Sequence, residues 1–461
     1  MKYINDMAPL AVDLPEDILR AKWCGDFARC QRLIDIYLEN EKIPECTKER
    51  LRIEKRIIYA LPRDFEYPYE TALKMAEEAI SGMTREEFDS LIDHGKIEWI
   101  YVNGVIHCHT RFLDTLTKVN PDMAERAGLP PAAEDPAKIV LKQNVIDFKA
   151  TGKATWHIHM KAWFKIDDDA FRPGETVKVH LPLPKNAINM KNINIIATSH
   201  QPAVIGDADD AQRTVYIETA LEQNEQFWVE YEYDSTVKYI NLMDEKNIEL
   251  AGKTSQAKFD TEELYPHIRF TPFIRQLCAE LKGDEKNPIK VARKFYDYCT
   301  TKVTYSYMRE YFTIREIPDY CGLGLKGDCG VQALLFITLC RCAGIPAKWQ
   351  SGLYVNPHYV GPHDWAMFHV EPFGWLFADC SFGGSAFRAG EYDRHELYFG
   401  NLDPFRMAAN SEYQADLVPE KKQLRIDPYD NQRGEAEYED AGITSFDMEY
   451  GYELISMEKT V

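Results

Sequence analysis

No run of 18 apolar residues occurs in the 461-residue chain, so the sequence offers no helix for a membrane span. The N-terminus, MKYINDMAPLAVDLPEDILRAKW, lacks a basic region followed by an apolar stretch and a small-residue cleavage site; it reads as a cytoplasmic start. A basic tract is also missing, and the net charge is −20. A phosphate backbone would be repelled, which argues against nucleic acid as a partner and mildly favours amine-bearing substrates. No C-x-x-C is present to complete a zinc site, so His107 and His109 in IHCHT, and His157 and His159 in HIHM, read as sheet surface. The acidic IDDDAF (166–171) reads as a solvated loop, and no metal or cofactor is expected. The eleven cysteines are odd in number and follow no framework spacing, which points to free thiols in a reducing compartment. No repeat of solenoid period is found.

What is present is ordinary globular composition, 45% apolar and 28% charged, in a chain too long for one core. Three textures follow one another. Residues 1–130 read as helical: Phe27, Cys30, Ile34 and Tyr37 recur at spacings of one helix face, and MTREEFDSLIDHG opens on Thr84 and closes on Gly95. GLPPAAEDPAK (128–138) reads as a linker. Over 131–245, IVLKQNVIDF, TWHIHMKAWFKI, TVKVHLPLP, INIIATS, RTVYIETA and FWVEYEYDS are short, β-branched and aromatic, and predict an antiparallel β-sandwich. Residues 246–390 mix helix and strand: Asn287-Pro288 opens a helix with Val291, Phe295 and Tyr298 on one face, and KVTYSYM (302–308) reads as a strand. The last segment, 391–461, is Tyr-, Asp- and Glu-rich and reads as an irregular extension on that core. The fold class is therefore α+β and multidomain.

One cysteine stands apart. Cys329 follows Asp328, a good N-cap, at the head of an apolar helix that Gly344 and Ile345-Pro346 close. In a first turn the helix dipole and free N–H groups favour the thiolate, so Cys329 is expected to be the most acidic thiol. Cys340 and Cys342, in the last turn, are read as core. A thiolate needs a base and the base an orienting group. His363 and Asp379 lie on two apolar runs joined by VEPFG; an antiparallel pair turning about Glu371 would set them opposite each other, about 4.8 Å apart. In that register His369 falls at the turn, and His358 lies in a Pro-bounded loop. Trp365 shares the His363 face and would wall the site. Tyr305, Tyr307 and Tyr320 are candidates for substrate or oxyanion contact. Arg406 and Asp403, in FGNLDPFRMAAN, read as a surface turn before they read as substrate contacts.

The order GDC, LCRCAGIPAKWQSG, HDW, GWLFADCSFG resembles the core of the transglutaminase-like superfamily over about residues 260–385. Cys380 stands where that family commonly has proline. The resemblance implies a papain-like core with Cys329 as nucleophile, His363 as general base and acid, and Asp379 as orienter. It implies acyl transfer on a peptide, protein or small amide through a thioester, with hydrolysis expected first. Amide exchange or cross-linking is the alternative, and an inactive peptide-binding scaffold is the reading from another class.

Overall fold

The computed structural model describes residues 6–131 and 134–460. Ala132 and Ala133 of the linker, and the first five residues of the N-terminus, lie outside the described residues. The chain is a mixed α/β protein with several sheets. Among the described residues no helix is long and apolar enough to cross a membrane.

The local signals act as their chemistry requires. Asp26, Thr84 and Asn287 each accept backbone N–H groups at the first turn of the helices Phe27–Glu39, Arg85–Asp93 and Pro288–Lys302. The N-terminal region also holds a three-stranded sheet, Tyr67–Pro68, Val105–Cys108 and Trp99–Val102, which the helical expectation did not include. IVLKQNVIDF, expected as a strand, belongs to a helix, Pro136–Thr151. Asp135 caps it, Pro136 occupies its first turn, and Gly152 ends it at φ +73°. Leu141, Val145 and Phe148, spaced by four and three, form its buried face.

The remaining β-rich segments form two antiparallel four-stranded sheets. One is built on Lys153–Ile166 paired with Phe227–Lys238, the other on Thr176–Pro182 paired with Thr214–Ala220. Along Phe227–Lys238 the inward set is Phe227, Val229, Tyr231, Tyr233, Ser235 and Val237, the period-2 alternation of a half-buried strand.

A five-stranded sheet carries the cysteine motif: β1 (Ala347–Asn356), β2 (Tyr359–Val370), β3 (Gly374–Ala378), β4 (Phe399–Gly400) and β5 (Arg406–Asn410), in the order β4-β3-β2-β1-β5. Two helices matter to the site: α1 (Cys329–Cys342) and α2 (Cys380–Arg388). Residues 330–341 of α1 are buried, as a helix apolar on all sides must be. Its Phe336 packs edge-on against Phe368 of β2, ring centres 5.7 Å apart.

The tail is less irregular than expected. β5 forms an edge of the core sheet. Glu435–Glu437 forms an edge of one four-stranded sheet, and Met448–Lys459 an edge of the other. Edge strands face a partner on one side only and tolerate polar sequence, which is why their pattern was weak. KVTYSYM contributes only Thr304–Tyr305 as strand, paired in parallel with Lys326–Gly327.

Candidate active site

Asp328 heads α1 as its N-cap, and its Oδ1 accepts the Val331 N–H at 3.1 Å. The same oxygen accepts the Tyr311 hydroxyl at 2.5 Å. Cys329 is thus held at the first position of α1, half-buried. Its Sγ lies 3.3 Å from Oδ2 of Asp364. Gly330 is the only residue type that fits next to it. A Cβ there would come within 2.7 Å of that Asp364 oxygen and 2.8 Å of the Trp349 ring.

His363 precedes Asp364 on β2. Its Nε2 meets Asp379 Oδ2 at 2.7 Å. The register that achieves this differs from the expected one. Ala366 faces Ala378, His369 faces Trp375 and Val370 faces Gly374, so the hairpin is centred on Pro372 rather than Glu371. Asp379 lies just past the last paired residue of β3, where it caps α2. Its Oδ1 takes the Phe382 N–H at 3.0 Å and the Ser381 hydroxyl at 3.2 Å. Its Oδ2 takes both His363 and a guanidinium nitrogen of Arg406, the latter also at 2.7 Å. Cap and orienter are therefore one carboxylate, with a different oxygen for each task.

Arg406 and Asp403 are not a surface turn. Both are fully buried behind Asp379. Arg406 donates to Asp403 at 3.1 Å, and its guanidinium lies over the Phe382 ring at 4.3 Å. Asp403 in turn accepts the Tyr398 hydroxyl at 2.7 Å.

The electrostatics oppose the simple dipole expectation for the thiol. Burial, then the Asp364 and Asp328 carboxyls, push the Cys329 thiol well above the ordinary cysteine range. Desolvation of a thiolate outweighs the field of one helix terminus. The low thiol is Cys342, which the neighbouring Cys278 brings below the ordinary cysteine range; it is half-buried and packs against the core, as read. Burial lowers the His363 pKa, against the pull of Asp379. Burial also opposes charge on Asp379, yet His363 and Arg406 hold its carboxyl well below the usual range. The shifts disfavour charge on the thiol and the imidazole and favour it on the Asp379 carboxylate. With Nε2–H donated to Asp379, the ring carries its lone pair on Nδ1.

The structure places the other expected residues unevenly. Trp365 is fully buried and tilted against His363 at 5.9 Å, with its indole N–H given to Gln350 at 2.8 Å. Tyr305 and Tyr307 meet edge-on at 5.4 Å. Lys118 lies over the Tyr305 ring, Arg111 over the Tyr307 ring, and Cys329 is among the charged or polar neighbours of Tyr305. The Tyr320 hydroxyl is committed to Glu98 at 2.8 Å. His369 lies within β2 rather than at a turn, against Phe259 and Trp375. The His358 N–H is held by Asn356. His157 and His159 pair with Asp234 and Glu230, and His107 with the Phe65 carbonyl, whereas His109 is buried and not on a sheet surface.

Sequence reasoning missed Asp364, Tyr311 and Gln432. Asp364 had a signal: it alternates with Ala366 and Phe368 on the face that packs against α1, so a charged residue there is a buried one. Gln432 had none, since only the tertiary path of the tail brings it to β2.

The family model of the transglutaminase-like superfamily matches residues 275–380. Among curated protein sequences, none matches. Solved structures similar in part include the “Putative Cysteine Protease from Cytophaga hutchinsonii”, at 11% identity over 66% of this chain and 91% of that one, TM-score 0.36. The periplasmic domain of TgpA from Pseudomonas aeruginosa is similar at 16% identity over 52% of this chain and 92% of that one, TM-score 0.28.

Proposed function

We propose that this protein is a cysteine-dependent acyl-transfer enzyme that hydrolyses amide bonds through a thioester on Cys329. The family match over residues 275–380 supports cysteine-based catalysis in the coarse sense. The observation that carries the finer reading is the imidazole of His363, oriented at 2.7 Å by a carboxylate that Arg406 keeps charged. The Cys329 thiol rests on Asp364, whose side chain alternates to the other face of β2, so proton transfer requires the thiol to leave Asp364 for His363.

In the proposed reaction the Cys329 proton passes to His363 as sulfur attacks the carbonyl carbon. A C–S bond forms and the carbonyl electron pair moves to oxygen. The Cys329 backbone N–H at the α1 terminus meets that oxyanion. Collapse breaks the C–N bond, and His363 returns the proton to the leaving amine. Water then attacks the thioester while His363 takes its proton; the C–S bond breaks to give the acid, and His363 returns the proton to the departing sulfur. Asp379 holds the ring and stabilises the imidazolium formed in each half. Peptides, proteins or small amides supply the acyl group.

An activated ester or peptide anilide tests this by intact mass. An adduct of the acyl mass on Cys329, absent from Cys329→Ala and decaying in water, is the expected result. Decay that requires an added primary amine would replace hydrolysis by amide exchange. Turnover retained in Cys329→Ala refutes the nucleophile.

A further inference from the structure

The carboxyl nearest the sulfur has no part in a Cys-His-Asp scheme. Asp364 Oδ2 faces Cys329 Sγ, and its other oxygen, Oδ1, accepts the Gln432 side-chain N–H at 2.7 Å. The same Gln432 nitrogen donates to the His363 carbonyl at 3.0 Å, so Gln432 is fixed as a donor on both. An amide N–H on Oδ1 marks that oxygen as the acceptor of the carboxyl. The proton of a neutral Asp364 then belongs on Oδ2, aimed at the sulfur.

The surroundings favour that neutral form. Asp328 faces Asp364 from the head of α1, Tyr311 from its short 3-10 helix, and Asp427 and Asp430 from the tail, with Cys329 itself completing the set. Asp430 also carries the Ser351 hydroxyl at 2.5 Å. The cations Arg425 and Arg433 act on the neighbouring Asp430. Burial, followed by Asp430 and Asp328, raises the Asp364 pKa well above the carboxylic range.

We infer that Asp364, held by Gln432, is a positioning residue whose neutral carboxyl donates its O–H to the Cys329 sulfur and so stabilises the thiolate during acyl transfer. The inference rests on the reading of Cys329 as nucleophile. A neutral acid in this position favours S⁻ by hydrogen bonding, whereas a carboxylate would oppose it by charge. The donor lowers the cost of the buried thiolate that the helix terminus alone does not offset. Gln432 comes from the tail, so the segment that edges three sheets also sets the protonation of the nucleophile.

Iodoacetamide alkylation of Cys329, followed by peptide mass spectrometry between pH 6 and 9, tests this without any substrate. In Asp364→Asn the side-chain oxygen keeps Gln432 and the NH₂ keeps a donor on sulfur, so the rate should stay within about threefold of wild type. Asp364→Leu removes the donor and should slow Cys329 at pH 7 by about tenfold or more. Faster alkylation in both variants would mean that an ionised Asp364 had been suppressing the thiolate, and would overturn the inference. Equal slowing in both, or no change in either, would overturn it too. Should Asp364→Leu fail to fold, the infrared carbonyl band of a protonated carboxyl at pH 7, lost in Asp364→Asn, decides: its absence from the wild type refutes the neutral donor. A protein that shows this alkylation pattern but forms no acyl adduct would refute the proposed activity and leave the Cys329–Asp364 pair standing.

Discussion

Asp379→Asn separates orientation, charge and capping at one atom group. The carboxylate accepts four hydrogen bonds: Phe382 N–H and Ser381 hydroxyl on Oδ1, His363 and Arg406 on Oδ2. An amide has one acceptor oxygen. If it serves the cap of α2, the NH₂ abuts two donors, His363 and Arg406. Asn is as good a cap as Asp, so the capping loss is at most a few tenths of a kcal/mol. Arg406 is different: it is fully buried and, among the described residues, keeps Asp403 as its ion-pair partner, at 3.1 Å. Removing one partner of a buried pair costs about 3–5 kcal/mol, and the remaining Asp403 sets the expectation at about 3. Catalysis should fall by roughly 10- to 10³-fold, or about 1.4 to 4 kcal/mol of barrier, because Asn neither stabilises imidazolium nor enforces the tautomer. The stability term has a pH signature. The folded pKa of Asp379 is depressed, so its contribution is present above the unfolded value near 4 and lost as pH falls below it. The variant should lack that acid limb. Urea unfolding from pH 3 to 7, with turnover of any amide or ester the wild type accepts, measures both. Unfolding free energy within about 0.5 kcal/mol of wild type at pH 7, together with unchanged turnover, would refute the shared role of this carboxylate.

Two further outcomes follow from buried ionisable groups. Iodoacetamide at pH 7 should label Cys342 before Cys329, since the first thiol is lowered by its neighbour Cys278 and the second is pushed well up by burial; peptide mapping that finds Cys329 first would return the thiol to the dipole-only expectation. Asp64, whose Oδ2 accepts the Glu310 N–H at 3.1 Å, is raised to about 7 by burial and then by Glu310. A raised carboxyl stabilises at low pH and loses that contribution as pH rises through the folded value. Asp64→Asn should therefore gain on wild type as pH rises from about 4 to 7, by up to about 4 kcal/mol in urea unfolding, and level off above 7; a gap that does not widen over that range would contradict the assignment.

The sequence by itself determined what depends on neighbours along the chain. The Asp328 cap and apolar run make α1 and put Cys329 at its head, because capping and amphipathic period are local. Alternation placed Trp365 on the His363 face, and the motif order identified the core that the family model matches at 275–380. Strand spacing likewise revealed the long strands Lys153–Ile166 and Phe227–Lys238. Where one local rule competed with another, the reading failed. IVLKQNVIDF is β-branched enough to look like strand, yet Asp135, Pro136 and Gly152 bracket it as helix. The hairpin register was off by one residue at its centre, which moved Asp379 from strand partner to helix cap.

Only the tertiary structure decided what lies between distant segments. Arg406 and Asp403 sit in turn-rich sequence, but β5 is carried to the sheet edge and buries them behind Asp379. Gln432 reaches β2 because the tail threads past the core sheet on its way to the edges of two others. The thiol is the clearest case. A helix terminus is a local feature and favours the anion, but burial is a property of everything packed around it. At Cys329 desolvation, with the Asp328 carboxyl beside it, outweighs the dipole. Those terms exist only once the chain has closed on itself.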